Sequence, residues 1–348
     1  MINKIDASIQ RLMIHHIGRA TENEGVTYIE NEVDLPHPSI KDLLLSFFID
    51  SFTSPEFYTF DTQRIQDGTL PLLDPVEQIF EDPDALELQS KAIAKLLYQH
   101  SDHPNIKSGD LLISYISDLF VDDEVVNAVA IIKVENLQSF LQLNRDPDRY
   151  HVHSLEGISL DKIDKACLIF NIESEHGYKI CALDKVSKGS EAKFWMEDFL
   201  CLKARTDDFY FTKNYIQATK SFIKDRMKPI YETDTADEAV IMNRSLNFLT
   251  NEEDFDSKEY ERRIFKDEAV IADFQEYKQD FAEEKDVRLA EDFKISHAAI
   301  KNQSKVFKSV LKLDKNFHVY IHGSRDMIEK GTDDMGRKFY RLFYNEET

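Results

Sequence analysis

The sequence predicts an α+β fold: an antiparallel sheet with packed helices, an acidic helical middle region and a small α+β C-terminal module. Three observations predict it. Runs of alternating apolar residues occur in the first half, helical spacing dominates residues 232–293, and the sign of the charge reverses near residue 294. We expect an α+β N-terminal domain at 1–205, an acidic helical region at 206–293 and a basic α+β module at 294–348.

The amino-acid composition limits which classes of protein the chain can belong to. The chain has 348 residues, of which 42% are hydrophobic and 31% charged, enough apolar material for a substantial core. Cys167, Cys181 and Cys201 form no CxxC pair and no disulfide framework, which predicts a reducing compartment. Charged residues interrupt the apolar pattern of residues 1–17, and no uncharged apolar run reaches the roughly 20 residues that span a bilayer. We expect a soluble cytoplasmic protein without membrane contact.

The N-terminal domain is predicted to begin with sheet. From Ile5, Ala7 and Ile9 onward the residues alternate like a strand, and Gly25 precedes its hairpin partner at 26–29. A helix should follow at 40–52, with Ser39 as its N-cap. Two further helices are predicted where apolar spacing follows Pro or Asp, at residues 75–80 and 86–98.

Two hairpins are predicted in the centre of the chain. The β-rich runs 111–121 and 124–134 are separated only by Asp122 and Asp123. A second pair of strands, joined through Gly177, is predicted at residues 166–172 and 178–184. These strands should form one antiparallel sheet, whereas helical spacing begins at residue 192 and is broken by Pro229.

The middle region is acidic and helical. Residues 232–293 contain 20 acidic and 8 basic side chains, a local net charge of −12, with aromatic and Ile residues spaced for one helix face. Asp256, followed three residues later by Glu259, resembles a capping box and predicts a helix start.

The last module has the opposite sign. Residues 294–344 contain 11 Lys or Arg against 5 Asp or Glu, a local net of +6 in a chain whose net charge is −22. A short helix after Ser296 and three strands are predicted here, at residues 307–313, 317–322 and 338–344.

Nine cations of this module are the candidate DNA-binding residues. Because the whole chain is negative, any phosphate contact has to be local, and phosphate contact through lysines is salt-sensitive and carries little sequence information. The alternative interpretation is a strand edge that lysines protect from aggregation. The candidates are Lys301, Lys305, Lys308, Lys312, Lys315, Arg325, Arg337, Lys338 and Arg341.

No cofactor, metal site or catalytic residue is predicted. The histidine pairs 15/16, 100/103 and 151/153 lack the further ligands that a zinc site needs. The stretch G-T-D-D-M-G-R-K resembles a phosphate loop, but Arg337 and Lys338 replace its essential Lys and hydroxyl residue, so a turn is predicted. A metal-dependent enzyme whose carboxylates converge only in three dimensions remains an alternative to a binding protein.

The order of motifs carries a family resemblance. The opening I-D-A-S-I-Q-R-L-M-I-H-H-I is followed, after helices, by D-L-L-I-S-Y-I-S-D-L-F and V-V-N-A-V-A-I-I-K-V, and later by L-D-K-I-D-K-A-C-L-I-F-N-I and K-F-W-M-E-D-F-L. Over residues 1–225, and more weakly beyond, this resembles the NdpA/YejK nucleoid-associated family. The resemblance implies association with the bacterial nucleoid through DNA or DNA-bound proteins, and a homodimer. It transfers no catalytic residue.

The sequence is therefore compatible with two functions. The leading hypothesis is a nucleoid-associated protein whose basic module contacts DNA phosphates, while the larger acidic part dimerises or recruits partners. The alternative is an adaptor that uses the acidic helices to bind a DNA-binding partner and has no DNA affinity of its own.

Overall fold

The structure, a computed structural model, contains two compact units, Met1–Arg205 and Thr206–Thr348. A further division of the second unit at residue 293 stays a prediction. The residues that the structure describes are 2–53, 56–64, 70–122, 124–186, 193–231, 233–304, 306–307, 310–313, 316–320, 327–344 and 346, with the backbone alone at 310–312 and 320.

The first unit is built on a nine-stranded antiparallel sheet, counted over the described residues. The strands of the sheet are β1 Ile2–Asn3, β2 Ser8–Ile17, β3 Val26–Thr27, β4 Phe57–Phe60, β5 Gly109–Val121, β6 Glu124–Val134, β9 Lys165–Phe170, β10 Lys179–Asp184 and β11 Leu202–Ala204. Their order in the sheet is β11-β4-β10-β9-β6-β5-β2-β3, and β1 pairs with the far end of β5.

Both predicted hairpins are confirmed: β5 pairs with β6, and β9 pairs with β10. Their central strands are apolar at nearly every position because helices cover both faces of the sheet. Ile113 of β5 packs on one side with Trp195, and its neighbour Leu112 packs on the other side with Phe48. The sheet is therefore the middle layer of the first unit.

Three α-helices and a π-helical segment, Phe194–Phe199, supply these covering layers. The α-helices are α1 Pro38–Ile49, α2 Leu73–Glu81 and α3 Leu86–Gln99. All three were predicted, but the N-cap of α1 is His37, and the prediction of Ser39 was wrong. Pro38 sets the start, since proline has helical φ and lacks only an amide proton that the first turn leaves unbonded anyway.

One hairpin of the first unit lies outside the large sheet. Strands β7 (Gln138–Arg145) and β8 (Tyr150–Gly157) pair only with each other among the described residues. Every side chain of this β-ribbon is exposed except at Gly157, which is intermediate. This hairpin was not predicted, although its apolar residues alternate with polar ones as in a half-buried strand.

The second unit is mainly helical. Its helices are α4 Asp208–Phe222, α5 Lys228–Ile230, α6 Thr235–Asn251, α7 Ser257–Phe265, α8 Glu268–Lys285 and α9 His297–Asn302. A π-helical turn, Ile223–Met227, joins α4 to α5. It lies just before Pro229, whose ring would clash with an α-helical carbonyl, and the helical run ends one residue later at Ile230.

Aspartates start the acidic helices. As predicted, Asp256 caps α7 by accepting from the Glu259 amide. A complete capping box, formed by Asp234 and Asp237, starts α6 and was missed. The short helix predicted after Ser296 is also present as α9, and the Ser296 side chain caps it.

A buried aromatic core joins these helices. The Tyr260 hydroxyl lies 2.8 Å from Thr219 Oγ1 and 2.7 Å from Ser245 Oγ, which ties α7 to α4 and α6. Burial raises the pKa of Tyr260 to about 12. Ile295 and Phe307, beside α9, complete the same core, so the start of the basic segment is part of this helical unit.

Small two-stranded sheets complete the second unit. They are formed by β12 Asp254–Asp256 with β13 Asp292–Lys294, β14 Val310–Leu313 with β15 Phe317–Tyr320, and β16 Ile328–Thr332 with β17 Lys338–Leu342. Ile328 packs against Ala236 and Ala239 at the N-terminal end of α6, whereas Phe248 near its C-terminal end lies in the aromatic core. Helix α6 therefore supports both the terminal hairpins and the acidic helices.

The predicted α+β class is confirmed. Antiparallel pairing accounts for the sheets, and helices pack against the large one. In the part of the chain that the structure describes, we find no helix long and apolar enough to cross a membrane.

Candidate nucleic-acid interface

The β16–β17 hairpin carries three of the nine candidate cations, Arg337, Lys338 and Arg341. Its turn is organised by Asp333, whose carboxylate accepts the amides of Met335 and Arg337 at 3.0 and 2.8 Å. Gly336 lies in the left-handed region with φ +78°, which glycine adopts without strain. The predicted turn in place of a phosphate loop agrees with this geometry, because the amides that a phosphate would need are bonded to Asp333.

Gly331 lets an aromatic ring cross the hairpin. A Cβ at this position would lie 2.4 Å from Cζ of Phe339, the residue opposite it in register. The ring therefore covers the glycine backbone, and the Arg341 guanidinium lies 5.6 Å from the ring centroid. This packing fixes the outer face of the hairpin, where Arg341 and Glu329 lie opposite each other.

Four of the nine candidate cations have described side chains. Arg337, Lys338 and Arg341 lie on the hairpin, and Lys301 lies near the end of α9; all four are exposed. Lys312 lies on β14, where only the backbone is described. The predictions for Lys305, Lys308, Lys315 and Arg325 lie outside the described residues.

Two of these cations already have carboxylate partners. Arg337 Nε donates to Asp333 Oδ2 at 2.7 Å, and Arg341 donates to Glu329 Oε2 at 2.7 Å. The amide and guanidinium of Arg337 hold the pKa of Asp333 below its ordinary value. Both arginines are exposed, and ion pairs of exposed side chains are weak, so a phosphate could replace either carboxylate.

Lys301 and Lys338 differ from these arginines. Neither forms an ion pair with any residue that the structure describes, and both side chains are exposed. Lys330, which sequence analysis did not select, lies 3.5 Å from the capping residue Asp234. Lys330 lies opposite Tyr340 in the hairpin, and Tyr340 is two residues from Lys338 on the same strand. Pairing the strand of Lys330 with that of Lys338 would therefore have added Lys330 to the candidates.

The most buried lysines belong to the first unit and face away from solvent. Lys133 and Lys165 are opposite each other in β6 and β9, and both ammonium groups lie 3.0 Å from the Glu135 carboxylate. Their side chains are 0% and 2% exposed. Desolvation lowers the pKa of Lys133, with Glu135 opposing it. The two lysines and Glu135 neutralise one another inside the sheet, and their charged groups are too buried to contact a phosphate.

The acidic region presents a different surface on α8. Its apolar side chains Val270, Phe274 and Phe281 are buried, and the opposite side exposes carboxylates. Exposed acidic residues on and beside this helix are Asp267, Glu268, Glu276, Asp280, Glu283, Glu284 and Asp286. Such a surface repels phosphate and favours a basic partner.

The histidine pairs have ordinary partners. Buried His15 lies between Ser90 Oγ and the Ile29 amide, and desolvation, the largest effect, lowers its pKa. His16 pairs with Asp110, and His151 pairs with Asp146. Within the described ranges, no group of three His, Cys, Asp or Glu is arranged to hold a metal ion.

Comparison with known proteins adds one match. The model of the family described as nucleoid-associated protein YejK matches residues 13–337. The match extends over both compact units and ends within the β16–β17 turn. No curated protein matches the chain.

Proposed function

The chain belongs to the YejK family of nucleoid-associated proteins, and from that premise we propose that it contacts DNA phosphates directly through a local basic surface in residues 294–344. We propose that it acts at the bacterial nucleoid as a homodimer. The larger acidic part would then hold two copies together or recruit protein partners.

The observation that carries this proposal is the local reversal of charge. Residues 294–344 have a net charge of +6 in a chain of net charge −22. Exposed Lys338 and Arg341 lie on one hairpin. Because phosphate binding is driven by the release of counterions from the DNA, a few local cations can bind despite the negative total.

The affinity should be modest and strongly salt-dependent. Each cation that meets a phosphate contributes about 0.9 to the slope of log affinity against log salt. Asp333 and Glu329 compete for the two arginines, so among the candidate cations with described side chains Lys301 and Lys338 can meet phosphate without first losing a described partner.

The test compares two charge-reversed variants of the full chain. Lys301→Glu/Lys338→Glu alters the proposed surface, and Lys95→Glu/Lys162→Glu reverses two exposed lysines of the first unit. Both variants have the same net charge. Fluorescence polarisation with a mixed-sequence duplex across a salt series should show a slope smaller by about 2 for the first variant only.

Equal losses of affinity in both variants would mean that only total charge matters, and unchanged binding in the first would remove the proposed surface. A truncation before Lys294 is a poor substitute. It would remove Ile295 and Phe307 from the aromatic core and destabilise the whole second unit.

The second candidate function is the adaptor, which the acidic outer side of α8 favours. In that case a DNA-binding protein with a basic surface would recruit the chain. Glu283→Lys/Glu284→Lys should then abolish co-purification of nuclease-treated nucleoid proteins, whereas Lys301→Glu/Lys338→Glu should leave it intact. Co-purification that is lost on nuclease treatment, and that Lys301→Glu/Lys338→Glu weakens before the treatment, would instead support direct contact with DNA.

A further inference from the structure

The β-ribbon formed by β7 and β8 presents unpartnered apolar side chains to solvent. Each strand has eight residues, so the ribbon extends about 26 Å. It pairs with no other strand among the described residues. A two-stranded hairpin alone is marginally stable in water, which indicates that another surface stabilises this ribbon.

The strand register separates its two faces. Leu143 lies opposite Val152 and Arg145 lies opposite Tyr150, so these four share one side of the ribbon with Leu141. We call this side the apolar ribbon face; its residues are Ser139, Leu141, Leu143, Arg145, Tyr150, Val152, Ser154 and Glu156.

The apolar ribbon face is open to solvent. Leu141 is 70% exposed, Leu143 63%, Tyr150 64% and Val152 60%. On the reverse side, the central positions are polar, with Gln142 opposite His153 and Asn144 opposite His151, whereas Phe140 and Leu155 form an exposed apolar pair nearer the base. Four of the six large apolar side chains that the ribbon exposes lie on the apolar ribbon face, so this face offers the larger apolar surface for a partner.

Charges at the two ends of this face identify the partner. Arg145 lies at the tip, beside the turn, and Glu156 lies near the base, with the apolar side chains between them. If two such faces pack antiparallel about a two-fold axis, the tip of one lies over the base of the other, which brings each Arg145 close to the Ser139–Glu156 pair of the other copy. A two-fold interface requires this kind of self-complementary pattern. We infer that the apolar ribbon face docks on the same face of a second copy of this chain.

DNA fits this face less well than a second copy does. Residues 138–157 contain two arginines against three acidic residues, so the ribbon has no excess of cations for phosphates. In a chain of net charge −22, a nearly neutral ribbon is also where two copies repel each other least.

The area of the apolar ribbon face sets the expected affinity of self-association. Four apolar side chains at these exposures offer roughly 100 Å² each. Together they supply about half of the roughly 800 Å² per partner that a stable interface buries. We therefore expect a dimer that dissociates on dilution in the micromolar range.

This inference names a surface for the dimer proposed above but requires no DNA contact, so it is tested without DNA. Leu143→Glu and Gln142→Glu place the same new carboxylate on neighbouring residues of β7, on opposite faces. Sedimentation equilibrium of the full chains should show the mass of the unaltered protein rising with concentration from 40.6 kDa towards twice that value. Leu143→Glu should weaken association at least about tenfold, while Gln142→Glu should change it little.

A charge-swap experiment tests the antiparallel arrangement. Arg145→Glu and Glu156→Arg should each weaken self-association by roughly tenfold, because like charges then face each other. An equimolar mixture of the two variants should regain dimers, since every facing pair in the mixed dimer is again opposite in sign. The two positions lie at opposite ends of the ribbon, so a pair within one copy cannot explain the rescue.

Three results would overturn the inference. The unaltered chain could remain a monomer at every concentration. Leu143→Glu and Gln142→Glu could weaken the dimer equally, or the mixed variants could fail to associate. Loss of DNA binding in Leu143→Glu, with self-association unchanged, would instead assign the ribbon to nucleic acid. Failure of DNA binding alone would leave this inference intact.

Discussion

Removing the carboxylate beside Arg341 should increase DNA affinity. Arg341 donates to Glu329 at 2.7 Å, and the two side chains are 59% and 49% exposed. An exposed pair is worth about 0–1 kcal/mol, so Glu329→Gln should release the arginine for phosphate and tighten binding by up to about fivefold. The salt slope should steepen by about 0.9, because one more cation meets a phosphate.

The assay is fluorescence polarisation of the full chain across a salt series, with Glu283→Gln as the control for charge. Glu283 is an exposed carboxylate on α8, so its neutralisation changes the net charge equally. A further variant, Arg341→Gln, should lose affinity, and adding Glu329→Gln to it should give no gain. If Glu329→Gln and Glu283→Gln tightened binding equally, the effect would be the total charge and the reasoning about Arg341 would be refuted.

Three further predictions concern stability. Glu261→Gln should lower the free energy of unfolding by about 3 kcal/mol in urea titrations, because the carboxylate is 1% exposed and lies 2.6 Å from Lys278; adding Lys278→Met should recover most of the loss. Gly331→Ala should destabilise the terminal hairpin, measured by faster amide exchange, because its Cβ would meet the Phe339 ring, and adding Phe339→Ala should relieve the clash. Stability should fall as pH drops below 6.5, because the folded state resists protonation of buried His15 and the unfolded state does not; His15→Asn should flatten this part of the pH profile, and an unchanged profile would contradict the assignment.

Sequence patterns predicted the parts of the fold in which local signals and burial agree. The strands around Asp122 and Gly177 were found because turn residues separate two apolar runs, and the large sheet buries both faces of those runs. Ser39 was predicted as a cap because serine is a good one, but Pro38 moves the helix start forward, and that competition cannot be weighed from propensities alone.

The candidate site was less predictable than the fold. Local composition located the cations, but it could not show that Arg337 and Arg341 pair with carboxylates of their own hairpin. Those partners depend on strand register, which a one-residue slip would change completely. Alternation likewise predicts a strand without saying whether its apolar side is covered, so the exposure of the β-ribbon could not be predicted from its sequence.

Helix α6 makes the terminal hairpins and the acidic helices energetically interdependent. Ala236 and Ala239 at its start support the hairpins, and Phe248 and Leu249 at its end lie in the aromatic core. A ligand that binds only the folded hairpin adds its binding free energy to every opening reaction that frays α6. Binding of a ligand to a few surface cations should therefore be detectable far from the contact, as slower amide exchange in helices that do not touch the ligand.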